Sequence, residues 1–453
     1  MESEALLLQQ LDSFDYEERM SALRRLMAEM GDFAPEGGNI NMHIHSFFSY
    51  NSQQYSPAHI AWQARKAGLS AAAICDFDVI DGLEEFYEAG LILGLRVSVA
   101  LETRSFIAEM ADRDINSPGE PGVAYVMGAG FVRPVTEGSE QSETLALYRG
   151  KALKRNLELV ERLNTSLPEV PVDYERDVLP LTPSGNATER HIIRAYVSMI
   201  SARFTRYEDR IAFWSSLLKE NRDSVERLLG DLPQLEERLR TRLVKRGGIG
   251  YQPPTSQTFP PVEEFIEWVL SCRAIPMVAW LDGMSPAEEA PQALLESLTA
   301  KGAAAVNIIP DRNCNVVDAD LQSLKREKLS EFVKTAESLD LPINIGTEMN
   351  KPGLPFVDDL TDNFLTPFGE TFRRGARIIV GHSILLRYAD FSYADDQRNG
   401  EFGDDRAARN RFFEAVGALP PLDEVTARVL EEAENERVFS MVQDSIRAGT
   451  WRV

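Results

Sequence analysis

The sequence predicts an α/β barrel interrupted by a helical insertion, and three observations predict it. Short apolar runs, each ending in polar or ionisable residues, alternate with helix-like stretches. That alternation is the pattern of strand–helix units built around a parallel sheet or barrel. It breaks between about 132 and 260, where the chain reads as mostly helical, and then resumes. The chain is also long enough, at 453 residues, for two or three domains with a large core that needs no disulfide or structural metal.

Taken in order, residues 1–36 read as an acidic amphipathic helical segment ending at "APEGG". The first part of the barrel, 37–131, carries the runs "NINMHIHS", "SAAAICDFD", "RVSVALETRS" and "VAYVMGAGF". Between the first two, "SPAHIAWQARKAGL" opens a helix with Ser56 as N-cap and Pro57 at the first helical position. In the insertion, 132–260, Leu153, Leu157 and Val160 fall at i, i+4, i+7, the spacing of one buried helix face. "GGIGYQPPTSQTFPP" closes the insertion with turn formers. The second part of the barrel, 261–402, supplies "AIPMVAWLD", "AAAVNIIPDRN", "LPINIGTEMN" and "ARIIVGHS" as strands, and a helical tail runs from 403 to 453. There is no internal repeat and no low-complexity segment.

Composition narrows the function classes. The formal net charge is −23, which disfavours broad nucleic-acid binding through phosphate neutralisation. No stretch approaches 18 uninterrupted apolar residues, so no membrane span is expected. The N-terminus has no basic start and no long apolar core, so no signal peptide is expected. The three cysteines, Cys75, Cys272 and Cys314, are scattered, which fits a reducing, cytoplasmic compartment rather than a disulfide scaffold.

The chemistry concentrates at "NMHIHSFFSYN". On a strand, side chains two apart point the same way, so His43 and His45 aim at one point, as two metal ligands must. Alone, the pair is equally two hydrogen-bonded core histidines. The other strand ends tip the balance: Asp76 ends "AAAICD", Glu102 ends "VSVALE" and Glu348 ends "INIGTE". The C-terminal ends of parallel barrel strands form the active-site face. Histidine with carboxylate suits zinc, iron or manganese.

Together these stretches resemble the PHP family of polymerase and histidinol phosphatase domains, over most of 39–131 and 247–352. The likeness is to its phosphoesterases with a helical insertion. "HIHSFFSYN" resembles the family's HxHTxxSDG, "GLSAAAICDFDVIDG" its GLxxxAxTDHDTxxG, and "VALE" its GxE. "IGTEMN" stands where the family has GSDxH, and "ATERHIIRAYV" is similar to its GRPHxA segment. The resemblance implies a distorted, TIM-like β/α barrel with a metal cluster at its mouth, usually of three ions. It also implies activity on nucleotides or other phosphorylated small molecules.

The departures from the family pattern are informative. Family ligands are replaced by Tyr50, Phe77, Tyr125, Trp280 and Asn350, and an aspartate by Glu348. One set remains complete: His43, His45, Glu102 and Glu348. The resemblance therefore implies a single divalent ion, manganese, iron or zinc, held by those four. The aromatic replacements are read as space-filling or as a wall on which a ligand stacks. Arg190 and His191, in the segment that folds over the site in the family, are implied to hold a phosphate and to assist a leaving group; the alternative is a surface arginine and a helix histidine. Asp76 is a catalytic candidate. With Asp78 it is also read as orienting a ligand imidazole or as capping a turn. His382 is placed at the end of the last strand, in the core, or else as a replacement ligand or an acid, and His59 is read as structural. "ERLRTRLVKRGG" is read as a solvated helix face, or else as an attractor for an anionic substrate.

The functional expectation is a metal-dependent, phosphoesterase-like hydrolase. Two rivals stand beside it: a catalytically silent PHP-fold protein that binds a ligand against the aromatic wall, and a mononuclear amidohydrolase-like enzyme.

Overall fold

The computed structural model describes residues 3–255, 257–395, 402–403 and 405–453. Its centre is one seven-stranded sheet whose order follows the chain. The strands are β1 (Ile40–Ile44), β2 (Ala71–Phe77), β3 (Arg96–Phe106), β4 (Val123–Ala129), β5 (Ile275–Trp280), β6 (Ala305–Ile308) and β7 (Ile343–Ile345). β1, β2 and β3 run parallel, as do β5, β6 and β7, while β4 is antiparallel to both β3 and β5. The parallel reading thus fails at β4. The 107–122 connection holds only a short 3-10 turn, Ala108–Met110, and no crossover helix; a parallel neighbour needs a crossover.

The sheet curls until its edges meet. Ile44 and Glu348 form a parallel bridge. The His45 N–H donates to the Glu348 carbonyl at 2.8 Å, and the Glu348 N–H donates to the His43 carbonyl at 2.8 Å. All five residues of β1 are buried, as expected of a strand covered on both faces. Helices cover the outside. One of them, Pro57–Lys66, starts as its sequence announces, with the Ser56 hydroxyl accepting from the His59 N–H at 3.0 Å.

Two expectations are corrected. "ARIIVGHS" is not a strand: it lies inside the helix Gly369–Ala389, which is buried on most of its circumference. A short apolar run does not distinguish a buried helix from a buried strand. Here Gly375 and Gly381 let the helix lie against backbone; a Cβ on either would sit 2.0 Å from a carbonyl oxygen, of Ile343 and Phe413 respectively. His382 is therefore a helix residue. The second correction concerns the helix Glu140–Ser166. Leu153 and Leu157 are exposed and only Val160 of the expected face is buried. The buried face is Leu145, Tyr148, Ala152, Leu159, Val160 and Leu163.

The insertion is helical, as expected, and has its own core around Leu163, Ile192, Tyr196, Trp214 and Leu239. The N-terminal segment forms two helices, Glu4–Gln10 and Tyr16–Met30. The second is tied to the barrel's outer layer by a buried Arg19–Glu85 ion pair at 2.5 Å. No helix among the described residues is long and apolar enough to cross a membrane.

Candidate metal centre

β1 presents His43 from its interior and His45 immediately after its end, while β3 presents Glu102 from the next strand but one. All three are buried, and their ligand atoms lie within 4.8 Å of one another. Glu102 Oε2 is 3.3 Å from His45 Nε2 and 3.6 Å from His43 Nε2. Neither Nε2 has a hydrogen-bond partner among the described residues. Burial acts to raise the Glu102 carboxyl, but the two imidazoles outweigh it and hold the group down at about 2.

His45 is oriented from behind. Its Nδ1 lies 3.2 Å from Ser49 Oγ, and the Ser49 hydroxyl donates to Asp76 Oδ1 at 2.7 Å. Asp76 also accepts from the Ser46 N–H at 2.7 Å and the Ser46 hydroxyl at 2.6 Å. With its hydroxyl hydrogen committed to Asp76, Ser49 accepts from His45 Nδ1–H. His45 Nε2 then turns a lone pair toward an ionised carboxylate 3.3 Å away. Two lone pairs in that position call for a cation between them. Two imidazoles and one carboxylate converging without other partners fit a divalent ion of the zinc, iron or manganese type.

Asp76 does not line the cavity at the barrel mouth; it acts on the cluster through Ser49. Asp78 does line it, and accepts from the Thr103 hydroxyl at 2.6 Å. Glu348 is not in the three-residue cluster. Its carboxylate is held by Arg312 Nη2, at 2.9 and 3.2 Å to its two oxygens. Glu348 and Met349 also have positive φ, 61° and 55°, a conformation that costs non-glycine residues free energy. The strain sits where the backbone turns away after closing the barrel.

The cluster opens into a cavity of about 860 Å³ between the barrel mouth and the insertion. Tyr50, Phe77, Tyr125, Trp280 and Asn350 all line it. Phe77 stacks on the His45 ring with centroids 4.4 Å apart and planes 22° apart. Trp280 stacks on Phe332 at 4.5 Å and is only 2% exposed, so it fills core space. Phe77 and Tyr125 remain partly exposed.

The far wall is rich in arginine and lysine, against the sign of the whole protein, and carboxylates that also line it pair with several of them: Arg104 with Glu120, and Arg240 and Lys245 with Glu189. Arg104 and Arg155 flank the Phe259 ring at 4.5 and 4.7 Å. Burial and the neighbouring Arg104 push Arg155 down to about 10. From "ERLRTRLVKRGG", Arg240, Lys245 and Arg246 line the cavity, whereas Arg238 keeps an exposed side chain paired with Glu220. The expected solvated face is thus in part a cavity wall. Arg190 lines the cavity, pairs with Glu237 and lies over the Tyr50 ring at 5.3 Å. His191 does not line it. Its Nδ1 accepts from the Thr188 N–H at 3.0 Å and caps its own helix; burial and then Arg194 and Arg190 push it down to about 3. His382 is buried between Gly130 and Tyr393, which contact its two ring nitrogens at 3.1 Å each. His59 pairs with Asp12 at 2.8 Å on the outer layer.

Sequence reasoning missed Asn307, Asn344, Arg312, Arg104 and Arg155. The asparagines carried a signal: each is a lone polar residue inside a short apolar run, "AVNI" and "INI".

No family model matches the chain, and no curated protein does. Among solved structures the chain is similar to a protein from Bifidobacterium adolescentis named for a proposed metal-dependent phosphoesterase activity. The identity is 20%, covering 75% of this chain and 98% of that one, with a TM-score of 0.46. It is also similar to an amidohydrolase from Chromobacterium violaceum with bound sulfate and no metal. There the identity is 15%, covering 72% of this chain and 92% of that one, with a TM-score of 0.48.

Proposed function

We propose that this protein is a metal-dependent hydrolase of a phosphorylated small molecule, working through one manganese, iron or zinc ion at His43, His45 and Glu102. The observation that carries the reading is the buried three-residue cluster opening into a cavity whose opposite wall is rich in arginine and lysine. An anionic group seats there although the chain as a whole carries −23, because buried guanidinium groups act in a low dielectric and at short range.

When bound, the ion supplies Lewis acidity at the reacting oxygen. The chain's own residues do the rest. Ser49 and Asp76 fix the His45 ring, so its Nε2 does not rotate out of the cluster. Arg190, Arg240 and Lys245 hold the anionic group, and Phe77 with Tyr125 closes one side of the cavity against water. His191 supports this wall as a helix cap rather than as a proton donor.

A second reading, a ligand-binding protein without turnover, is favoured by one observation: Arg312 occupies the Glu348 carboxylate, the fourth ligand that the sequence offers. An amidohydrolase-like reading draws no support from His382, which sits in a buried helix and not at a strand end.

The deciding experiment is a panel of phosphomonoesters and nucleotides with added manganese, with and without chelator. Wild type, His45→Ala and Arg190→Ala are compared. The hydrolase reading expects turnover that His45→Ala abolishes and Arg190→Ala weakens at unchanged metal content. Equal activity in wild type and His45→Ala marks a contaminant and defeats it.

A further inference from the structure

The two histidines of the cluster are wired in opposite senses. The Met42 carbonyl, on β1, can only accept a hydrogen bond. Asn344 Nδ2, on β7, lies 3.0 Å from it across the barrel seam, which fixes the end of the Asn344 amide that faces β1. The same Nδ2 has a second hydrogen, directed at Asn307 Oδ1, 3.0 Å away. Reversing the Asn307 amide would set NH₂ against NH₂. Asn307 therefore turns its own Nδ2 outward, where it meets His43 Nδ1 at 3.1 Å. His43 Nδ1 is an acceptor, and the neutral ring carries its hydrogen on Nε2, facing Glu102.

His45 is the reverse. Its Nδ1 donates to Ser49, whose hydroxyl is committed to Asp76, and its Nε2 carries the lone pair. An imidazole that binds metal ordinarily donates its other N–H to an oxygen. Ser49 offers His45 that oxygen. Asn307 offers His43 a donor instead. Asn307, Asn344 and His43 are 0%, 3% and 1% exposed, so the chain of hydrogen bonds among them is buried.

We infer that Asn307 is a positioning residue that holds His43 in the tautomer with its hydrogen on Nε2, facing Glu102, and not as a ready metal ligand. It thereby weakens the metal affinity of a centre whose preset ligands are His45 and Glu102. This rests on reading the cluster as a metal centre. For His43 to bind through Nε2, its hydrogen moves to Nδ1 and the Asn307 amide turns over, against the Met42 anchor.

The test has two arms, neither of which reads activity. The chain has five histidines, so full-length, metal-stripped protein labelled with ¹⁵N-histidine gives a sparse long-range ¹H–¹⁵N spectrum. His43→Gln and His45→Gln assign the two signals. The expected result is Nε2–H for His43 and Nδ1–H for His45; the same tautomer at both overturns the inference. The second arm replaces the donor by an acceptor, Asn307→Asp, and titrates manganese or zinc by calorimetry. The variant is expected to bind about 10–100-fold more tightly than wild type, the size of effect typical for partners of metal-bound histidines. Equal or weaker binding by folded variant protein overturns the inference. If Asn307→Asp does not fold, the tautomer spectrum of the wild-type protein decides alone. Failure of the hydrolase reading shows separately, as a folded, metal-binding protein without turnover.

Discussion

His45 and Glu348 are joined through their backbones, the His45 N–H donating to the Glu348 carbonyl at 2.8 Å. The hydrogen bonds that close the barrel are thus the ones that place the candidate ligands. Stability and metal binding are expected to report on each other.

Metal removal gives the first prediction. A ligand that binds only the folded chain stabilises it by about 2.7 kcal/mol at a hundredfold excess over Kd. Chelator should lower Tm in thermal unfolding and added manganese should restore it. His45→Ala should still fold and show neither response. A chelator response that survives the substitution places the ion elsewhere.

Glu102 and Glu348 are expected to separate. The Glu102 carboxylate faces both Nε2 atoms, while Arg312 holds that of Glu348. Glu102→Gln should reduce metal affinity by more than about tenfold, and Glu348→Gln should change it by less than about threefold, as expected when a ligand and a remote group are compared. Calorimetric titration of both variants checks this, and equal losses would return Glu348 to the ligand set.

The aromatic replacements are expected to differ in cost. Trp280 is stacked and buried, so Trp280→Ala should cost about 3–5 kcal/mol in urea unfolding. Phe77 is partly exposed, and Phe77→Ala should cost clearly less. Equal costs would mean that Phe77 packs as core and is not free to meet a ligand.

Two buried histidines set an acid limit. Burial, with nearby arginines, holds His191 and His382 at about 3 in the folded state, against about 6.5 in the unfolded chain. Below 6.5 the unfolded state takes up protons that the folded state does not, so stability falls as pH drops from about 6.5 toward 3. Each histidine adds a slope of about 1.4 kcal/mol per pH unit in that window. His382→Gln should reduce the slope by that amount, measured by urea unfolding at stepped pH. An unaltered slope refutes the assignment.

Much of the barrel was legible because strands buried on both faces leave apolar runs, and their polar ends mark the mouth. His43, His45 and Glu102 were readable because each is an ionisable group that interrupts an apolar run, although β3 continues four residues beyond Glu102. The helix Gly369–Ala389 was not, because burial around its circumference erases the 3.6-residue period. The Leu153–Leu157 face misled because helical spacing shows which residues share a face, not whether that face is covered. The arginine- and lysine-rich wall was invisible for another reason. Arg104, Arg155 and Arg240 come from three separate stretches, and only the folded insertion brings them together. Asn307 was overlooked because its role depends on the direction of a hydrogen bond, which residue identity does not encode.

The helix Glu140–Ser166 carries a further consequence. Its 27 residues make a rod about 40 Å long. Near its start, the Gln141 carbonyl is fastened to the barrel by the Trp268 indole N–H at 2.9 Å. Further along, Lys151, Arg155 and Arg162 face the cavity. The wall is therefore indexed to the barrel by helical phase. Deleting one residue between Gln141 and Lys151 advances everything beyond it by about 1.5 Å and rotates it by about 100°, which swings Arg155 off the cavity. A loop absorbs a change of length; this rod propagates it. In homologous chains this stretch should vary freely in residue identity on its exposed side, and hardly at all in length.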